Sequence, residues 1–292
     1  MSDLSEPVSR VYTSVKLDLH YLEWGDERSP PLTLLHGGRD HARSWDWVAR
    51  QLRDDYHIIA PDLRGHGDSA WSPDASYSVV AHTYDLAELI HQLGLAPLPI
   101  VAHSFGGIVA MRYAAIYPEK VSKMVAIESL GGNAEMMAQL DTMSPHERMR
   151  KWIEDTRSIG ERIPRRYATI AQATQRMAEE NQHLSPEQAY HLTVHGVRRN
   201  KDGSYSWKFD NFVRTIWPID FGPEQRSAMW QRIACPVLLM HGADSWAGNP
   251  EEDGRIEHFQ DARVSEFENA GHWLHHDQLD RFIAETKAFL AE

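Results

Sequence analysis

An apolar run that breaks at a serine most constrains what this chain of 292 residues can fold into. The run Leu98–Val109 begins as a buried strand, is interrupted at Ser104 and continues as a helix. Ala102 and Gly106, two residues before and after Ser104, keep bulky side chains out of a sharp turn. Such a turn strains the serine backbone and raises its hydroxyl above the sheet at a helix N-terminus, which favours negative charge. The pattern therefore predicts Ser104 as a nucleophile; the simpler alternative is a buried serine that caps the helix.

A second strand ends in two glycines. The short apolar strand Leu32–Leu35 is followed by His36, Gly37 and Gly38. A Gly-Gly turn leaves backbone N–H groups free to face an incoming oxygen, and an oxyanion hole needs one such donor besides the amide after the nucleophile. We predict the N–H groups of Gly38 and Phe105 as the two donors, with a plain tight turn as the alternative.

A histidine follows the last predicted strand. Val264–Phe267 alternates as a strand does and leads into a loop that contains His272. A histidine in a loop at that position can reach back over the sheet. His272 is therefore predicted as the general base that accepts the proton of Ser104.

The chain divides into three parts by its periodicity. Strands and helices alternate over residues 1–132 and again over 233–292, so these two segments are predicted to form one α/β core. Over residues 133–232 the apolar strand runs disappear, and the spacing becomes helical with proline breaks. This middle segment is predicted to be a helical cap inserted after the sixth strand.

Four motifs occur in a fixed order along the chain: His36–Gly38, Pro61–Ser69, the turn at Ser104, and Gly271 with His272. In these motifs the chain resembles the α/β-hydrolase superfamily over nearly its whole length, most of all its capped serine hydrolases, which include esterases. The resemblance implies an α/β-hydrolase fold, a mostly parallel eight-stranded sheet flanked by helices, with an inserted helical cap. Haloalkane dehalogenases and epoxide hydrolases are related but use aspartate as nucleophile, so Ser104 disfavours their reactions.

Two carboxylates are candidates for the acid that orients His272. The family usually places this acid in a Gly-x-x-Asp pattern, but after Gly242 that position is held by Ser245, and Asp244 comes one residue early. Some branches carry the acid at the preceding strand end, about two dozen residues after the nucleophile, as Glu128 is here. A carboxylate at the end of an apolar strand needs a partner, because burying it unpaired is costly. We favour Glu128 and keep Asp244 as the alternative.

The expected substrate pocket is partly enclosed and mainly apolar. Aromatic residues cluster in the second half of the cap, and Trp207 and Trp217 are candidates for its lining, although such residues also build cap cores. Trp273 lies next to the predicted base, and Arg39 follows the oxyanion turn, from where it can contact a polar substrate group. The pattern favours hydrolysis of a small to medium carboxylic ester or lactone through an acyl-enzyme.

Composition excludes several other classes. A formal net charge of −12 argues against binding to nucleic acid or to anionic membranes. The N-terminus lacks the pattern of a signal peptide, no apolar stretch is long enough to span a bilayer, and the single cysteine, Cys235, excludes an intramolecular disulfide. These features favour a cytoplasmic enzyme without a cofactor or metal, whose partner is a small-molecule ester. They do not indicate an oligomeric state.

Other functions remain compatible with the same motifs. The same three residues can hydrolyse carbon–carbon bonds or thioesters, or cleave cyanohydrins, because the fold does not determine the reaction. A second class is a ligand receptor that keeps the three residues but works by closing its cap. An intact serine, histidine and oxyanion turn argue against the receptor.

Overall fold

Ten strands lie in the part of the chain that a computed structural model describes, residues 6–132, 138–139 and 141–292. In chain order they are β1 Val8–Ser14, β2 Leu17–Trp24, β3 Pro31–Leu35, β4 His57–Pro61, β5 Leu98–His103, β6 Val121–Ile127, β7 Val197–Arg199, β8 Tyr205–Trp207, β9 Val237–Gly242 and β10 Ala262–Phe267. Eight of them form one sheet in the order β1-β2-β4-β3-β5-β6-β9-β10, and β7 pairs with β8 in a separate hairpin.

The large sheet is mostly parallel. β2 runs antiparallel to both β1 and β4, and every later neighbouring pair in the sheet is parallel. Parallel strands bring their carboxyl ends to one edge of the sheet, where ligand sites of α/β proteins form. The predicted mostly parallel eight-stranded sheet is confirmed.

Helices cover both faces of this sheet. The α-helices of the described residues are α1 Asp46–Leu52, α2 Val79–Leu93, α3 Ser104–Ile116, α4 Pro145–Glu161, α5 Ile170–Glu180, α6 Pro186–Gly196, α7 Pro223–Trp230, α8 Leu274–Asp277 and α9 Leu279–Ala291. Side chains of a strand alternate between faces. On β5, accordingly, Ile100 and Ala102 join one apolar cluster, whereas Val101 joins a second cluster on the opposite side.

We call the described residues 138–139 and 141–232 the insert. They contain the helices α4–α7 and the β7–β8 hairpin. The predicted start of the cap, Asn133, lies outside the described residues. Several hydrogen bonds join the insert to the core. They include the bond from His41 Nε2 to the carbonyl oxygen of Leu192 at 2.9 Å and the bond from the hydroxyl of Tyr77 to Asp210 Oδ2 at 2.6 Å. Among the described helices, none combines the length and apolar character that crossing a bilayer requires.

Candidate active site

Ser104 lies at the turn from β5 into α3. Its φ is 50°, in the left-handed region that residues other than glycine rarely adopt. The turn demands small neighbours, since a Cβ on Gly106 would lie 2.3 Å from the backbone oxygen of His36. A Cβ on Gly107 would lie 1.8 Å from the Oγ of Ser129. The crowding explains why glycines occupy positions 106 and 107 in the first turn of α3.

The strand register brings Ser104 beside Glu128. His103 and Ile127, the last residues of β5 and β6, are paired, so Ser104 and Glu128 are the next residue on each neighbouring strand. His272 reaches them from the loop after β10. Its Nε2 lies 2.9 Å from Ser104 Oγ, and its Nδ1 lies 3.4 Å from Glu128 Oε2. The structure therefore brings together the serine, the histidine and the favoured acid.

Glu128 is held ionised by its hydrogen bonds. Its side chain is fully buried, and its two oxygens accept from the Gly242 amide at 2.7 Å, the Ser245 hydroxyl at 2.7 Å and His241 Nδ1 at 3.0 Å. Burial alone would raise the pKa of Glu128, but the hydrogen bonds from His241, His272, Gly242 and Ser245 outweigh it and lower the pKa to about 2. The residue is therefore a carboxylate at neutral pH.

The alternative acid, Asp244, lies apart from this group. Its side chain is exposed, and its backbone amide bonds to the carbonyl oxygen of Ala270 at 3.0 Å. Ser245, which stands at the usual acid position of the family, instead donates its hydroxyl to Glu128. The geometry thus favours Glu128 of the two candidates.

Three further contacts were not foreseen from the sequence. His103 Nε2 lies 2.9 Å from the carbonyl oxygen of His272, so this nitrogen carries the proton and holds the histidine loop. Burial keeps the pKa of His103 well below its ordinary value, so the ring stays neutral. Trp246 covers the outer side of His272, with ring centroids 4.7 Å apart. His241 pairs with Glu128 as described above. Only the position of His103 next to Ser104 could have signalled any of these roles.

Two backbone amides meet beside Ser104. Phe105 is the second residue of α3, and amides in the first turn of a helix have no acceptor within the helix. Gly38 lies next to it, since a Cβ on Gly38 would stand 3.8 Å from the Cβ of Phe105. A Cβ on Gly37 would lie 2.7 Å from His103 Nδ1 and 3.2 Å from Ser104 Cβ. Gly37 and Gly38 therefore pack against the serine turn, and the two residues that were predicted to supply the oxyanion donors, Gly38 and Phe105, are neighbours there.

A cavity of about 420 Å³ opens at these amides and extends along the insert. Gly38 and Phe105 belong to its lining, and so does the predicted Trp217. Trp217 packs edge to face on Trp152, with ring centroids 5.4 Å apart. The lining is predominantly apolar, as expected of a pocket for an organic ligand.

Two of the predicted pocket residues do not line this cavity. Trp207 donates its indole N–H to the hydroxyl of Tyr167 at 3.1 Å and packs inside a small apolar cluster of the insert. Trp273 packs on a second cluster with Leu184 and Leu192. Both tryptophans pack against apolar clusters outside the cavity. The prediction that they line the pocket is therefore wrong.

Arg39 also lies outside the lining, although it is near. It follows Gly38, is exposed and has a φ of 65°. Its positive charge lowers the pKa of Arg214, a residue that does line the cavity, after the larger effect of burial. Arg39 therefore contributes a positive potential at the cavity more than a direct contact.

Two groups of side chains within the described ranges bring possible metal-ligand atoms within 4.8 Å of one another: Asp46, His191 and His195, and His20, Asp62 and Asp68. Each buried carboxylate already has a strong partner. Arg43 Nε donates to Asp46 at 2.7 Å, and His20 Nδ1 lies 2.7 Å from Asp62. These bonds favour a structural role for both groups, because a cation would have to displace them.

The chain matches the profile of the α/β hydrolase fold family over residues 30–279. The matched span contains the strained serine turn, the strand-end glutamate and the histidine loop. This protein belongs to the α/β hydrolase family.

Relatives with described activities cover most of the chain. An sn-1-specific diacylglycerol lipase, ABHD11 of Mus musculus, is 27% identical over 91% of this chain and 83% of its own length. The esterase Rv0045c of Mycobacterium tuberculosis is 28% identical over 92% of this chain and 85% of its own length. Among solved structures, the thioesterase domain from the curacin biosynthetic pathway superposes with a TM-score of 0.83 at 24% identity, covering 97% of this chain and 99% of that domain.

Proposed function

We propose that this protein is a serine hydrolase that cleaves a carboxylic ester through an acyl-enzyme. The observation that carries the proposal is the 2.9 Å distance between His272 Nε2 and the Oγ of Ser104 at a strained strand–helix turn. That arrangement is what a serine needs to become a nucleophile at neutral pH. The relatives named esterase and lipase support the same class of reaction.

In the first half of the reaction, His272 Nε2 accepts the proton of Ser104 as its oxygen attacks the ester carbonyl. The negative charge that develops on the carbonyl oxygen is stabilised by the N–H groups of Gly38 and Phe105. The tetrahedral intermediate collapses when His272 returns the proton to the departing alcohol, which leaves the acyl group on Ser104.

In the second half, His272 takes a proton from water as its oxygen attacks the acyl carbonyl. The second tetrahedral intermediate collapses when His272 gives this proton to Ser104 Oγ, which releases the carboxylic acid and restores the enzyme. Glu128 orients the ring by accepting a hydrogen bond from the Nδ1–H group, so that Nε2 faces Ser104. Because its pKa is lowered to about 2, Glu128 stays charged and stabilises the imidazolium in both halves.

The substrate is proposed to be a small to medium ester or lactone. A cavity of about 420 Å³ with a mainly apolar lining suits one acyl chain with its alcohol part. Trp152 and Trp217 offer flat apolar contacts in this space.

Labelling with a fluorophosphonate tests the proposal directly, because such probes react with activated serines. The expected result is a single adduct at Ser104, mapped by mass spectrometry, that disappears in Ser104→Ala and persists in Ser129→Ala, which removes a serine that lines the cavity. The labelled protein should lose the hydrolysis of p-nitrophenyl butyrate. No adduct together with no turnover on any ester would overturn the proposal in favour of a receptor.

A substrate panel then identifies the bond that is cleaved. Matched esters, lactones and thioesters of one acyl chain are compared by kcat/KM, together with a diketone that reports carbon–carbon cleavage. We expect the oxygen esters or lactones to have the highest values. A preference of tenfold or more for the thioester or the diketone would leave Ser104 as the nucleophile but would show that the protein is a thioesterase or a carbon–carbon bond hydrolase.

A further inference from the structure

The cavity beside the active site differs in charge from the rest of the protein. The whole chain carries a formal charge of −12. Among the described residues, the cavity lining contains five basic side chains and three carboxylates: Arg112, Arg148, Lys151, Arg214 and Arg226 against Asp141, Asp155 and Asp220. Burial lowers the pKa of His66 to about 4 and that of His82 to about 3, so these two lining histidines are neutral at pH 7. The lining therefore has two positive charges in excess.

Each of the three carboxylates is already paired with one cation. The pairs are Arg112 with Asp220 at 2.7 Å, Lys151 with Asp155 at 2.9 Å, and Arg226 with Asp141 through two bonds of 3.1 and 2.5 Å. The excess charge is thus carried by the two remaining arginines, Arg148 and Arg214.

Arg148 and Arg214 have no carboxylate partner within the described residues. Arg148 lies on α4, and its Nε is buried without a hydrogen-bond partner in the part of the chain that the structure describes. Arg214 ends a 3-10 helix, Asn211–Arg214, and its guanidinium lies 5.1 Å from the ring centroid of Phe209. A buried donor without an acceptor costs free energy, and neighbouring positive charges add to that cost. An anionic ligand would remove both penalties.

We propose that the substrate of this enzyme carries an anionic group, which Arg148 and Arg214 bind while the ester lies at Ser104. Guanidinium groups bind carboxylates and phosphates through two parallel hydrogen bonds, which suits them to such a site. The apolar lining holds the chain between the two ends of the substrate. This inference rests on the proposed ester hydrolysis and narrows it to acidic esters, such as monoesters of dicarboxylic acids.

The test compares two chromogenic esters that differ only at the far end of the acyl chain. p-Nitrophenyl hydrogen adipate ends in a carboxylate, and p-nitrophenyl hexanoate ends in a methyl group. At low salt, we expect kcat/KM to be about tenfold higher or more for the adipate ester, as a charge-assisted hydrogen bond allows. Added NaCl should reduce this preference, because part of the attraction is screened.

Arg148→Gln and Arg214→Gln should each lower the preference for the adipate ester towards one. Arg150→Gln is the matched control: it removes the same charge two residues along α4, from an exposed side chain outside the lining. A preference of one or less in the wild type would overturn the inference. An unaltered preference in both cavity variants would do the same, even with active enzyme.

A binding measurement separates this inference from the proposed reaction. In Ser104→Ala, which keeps both arginines, hexanoate or hexyl phosphate should raise Tm more than 1-hexanol does, and the two anions show which acidic group is preferred. Arg148→Gln and Arg214→Gln in that background should abolish the difference. If neither ester is hydrolysed, the proposed function fails while this experiment still decides on the anion site. If the anions and the alcohol raise Tm equally, the proposed anion site is wrong even when ester hydrolysis is confirmed.

Discussion

The site at the carboxyl edge of the sheet, which contains Ser104, Glu128 and His272, differs from the insert in how deeply its side chains are buried. At the edge of the sheet, the Glu128 side chain is buried and accepts hydrogen bonds from two separate segments, the end of β9 with the loop after it and the loop that contains His272. In the insert, helices α4 and α7 bury none of their side chains, and α5 buries only Ala173. The edge is therefore buried in the core. These three helices of the insert lie mostly at the surface, and ion pairs such as Arg112 with Asp220 help to hold the insert on the core.

The residues proposed to carry out the reaction lie at the strand edge, and residues proposed to select the substrate lie in the insert. Ser104, His272 and Glu128 belong to the edge of the sheet, where hydrogen bonds fix their side chains relative to one another. Arg148 and Trp217 belong to the insert, whose half-exposed surfaces tolerate substitution. Changes at the edge should therefore alter kcat, and changes in the insert should alter which substrate is used.

The largest expected effect is the loss of the nucleophile. Ser104→Ala should reduce kcat for p-nitrophenyl esters by about 10⁴-fold or more, because no other group can form the acyl-enzyme. Steady-state kinetics on the purified variant measure this loss, and circular dichroism confirms that it is folded. Ser129→Ala should keep activity within about tenfold of the wild type. If Ser104→Ala keeps more than a tenth of the activity, Ser104 is not the nucleophile. The reaction could then not be assigned to the strand edge in contrast to the insert.

The next effect concerns the acid. Glu128→Gln should lower kcat by roughly 10²- to 10⁴-fold, because a neutral amide neither holds the tautomer of His272 nor stabilises its charged form. Asp244→Asn is the matched control and should cost much less, since its side chain is exposed. Both variants are compared at saturating ester. The reverse ranking in folded proteins would identify Asp244 as the acid.

A pH effect on stability follows from the same carboxylate. The pKa of Glu128 is lowered from its ordinary value of 4.5 to about 2, so the folded state favours the charged form. This contribution is complete above about pH 5 and is lost as the pH falls towards 2, and it amounts to roughly 3 kcal/mol.

Urea unfolding between pH 7 and pH 3 measures this contribution. Over that interval the free energy of unfolding should fall more in the wild type than in Glu128→Gln, which has no group to protonate at this position. Asp244→Asn should follow the wild type. Parallel pH curves for wild type and Glu128→Gln would show that Glu128 titrates normally.

The paired glycines give a smaller and more local contrast. Gly37→Ala would force a methyl group within 2.7 Å of His103 Nδ1, so it should destabilise the fold by about 1–3 kcal/mol and lower kcat through displacement of the serine turn. Gly38→Ala meets its nearest neighbour at an ordinary 3.8 Å and should cost less than about 1 kcal/mol. Thermal unfolding and ester kinetics of both variants check the ranking. Equal costs would mean that the edge is not packed as tightly as described.

The smallest effects belong to the insert. In the wild type, kcat/KM should rise by roughly fourfold per methylene of acyl chain until the cavity is full, because each buried methylene contributes about 0.8 kcal/mol. Trp217→Ala should move the optimum to longer chains, whereas Trp207→Ala should leave the optimum in place and lower stability by about 0.5–3 kcal/mol.

A series of p-nitrophenyl esters from acetate to decanoate, together with thermal unfolding, measures both properties of the insert. A shift of the optimum in Trp207→Ala and none in Trp217→Ala would reverse the assignment of pocket and packing residues.

Much of the sheet was predictable because its signals are local. The apolar strands before Gly37, Ser104 and Glu128 are short uninterrupted runs, and each lies where the structure has a strand. The strained serine was predictable from the small residues around it, since the steric demand acts within a few positions. Contacts between distant segments left no such signal, and His241 and Trp246 were missed for that reason.

The sequence by itself determined the kind of fold, the serine turn and the histidine loop, because periodicity and backbone strain operate over a few neighbouring residues. Only the tertiary structure decided that Glu128 faces His272 across 144 positions of the chain, and that Trp217 lines the cavity while Trp207 packs inside the insert. Those outcomes depend on strand register and on how helices pack against each other. No short stretch of residues determines the register or the helix packing, because both depend on contacts between segments that are distant in the sequence.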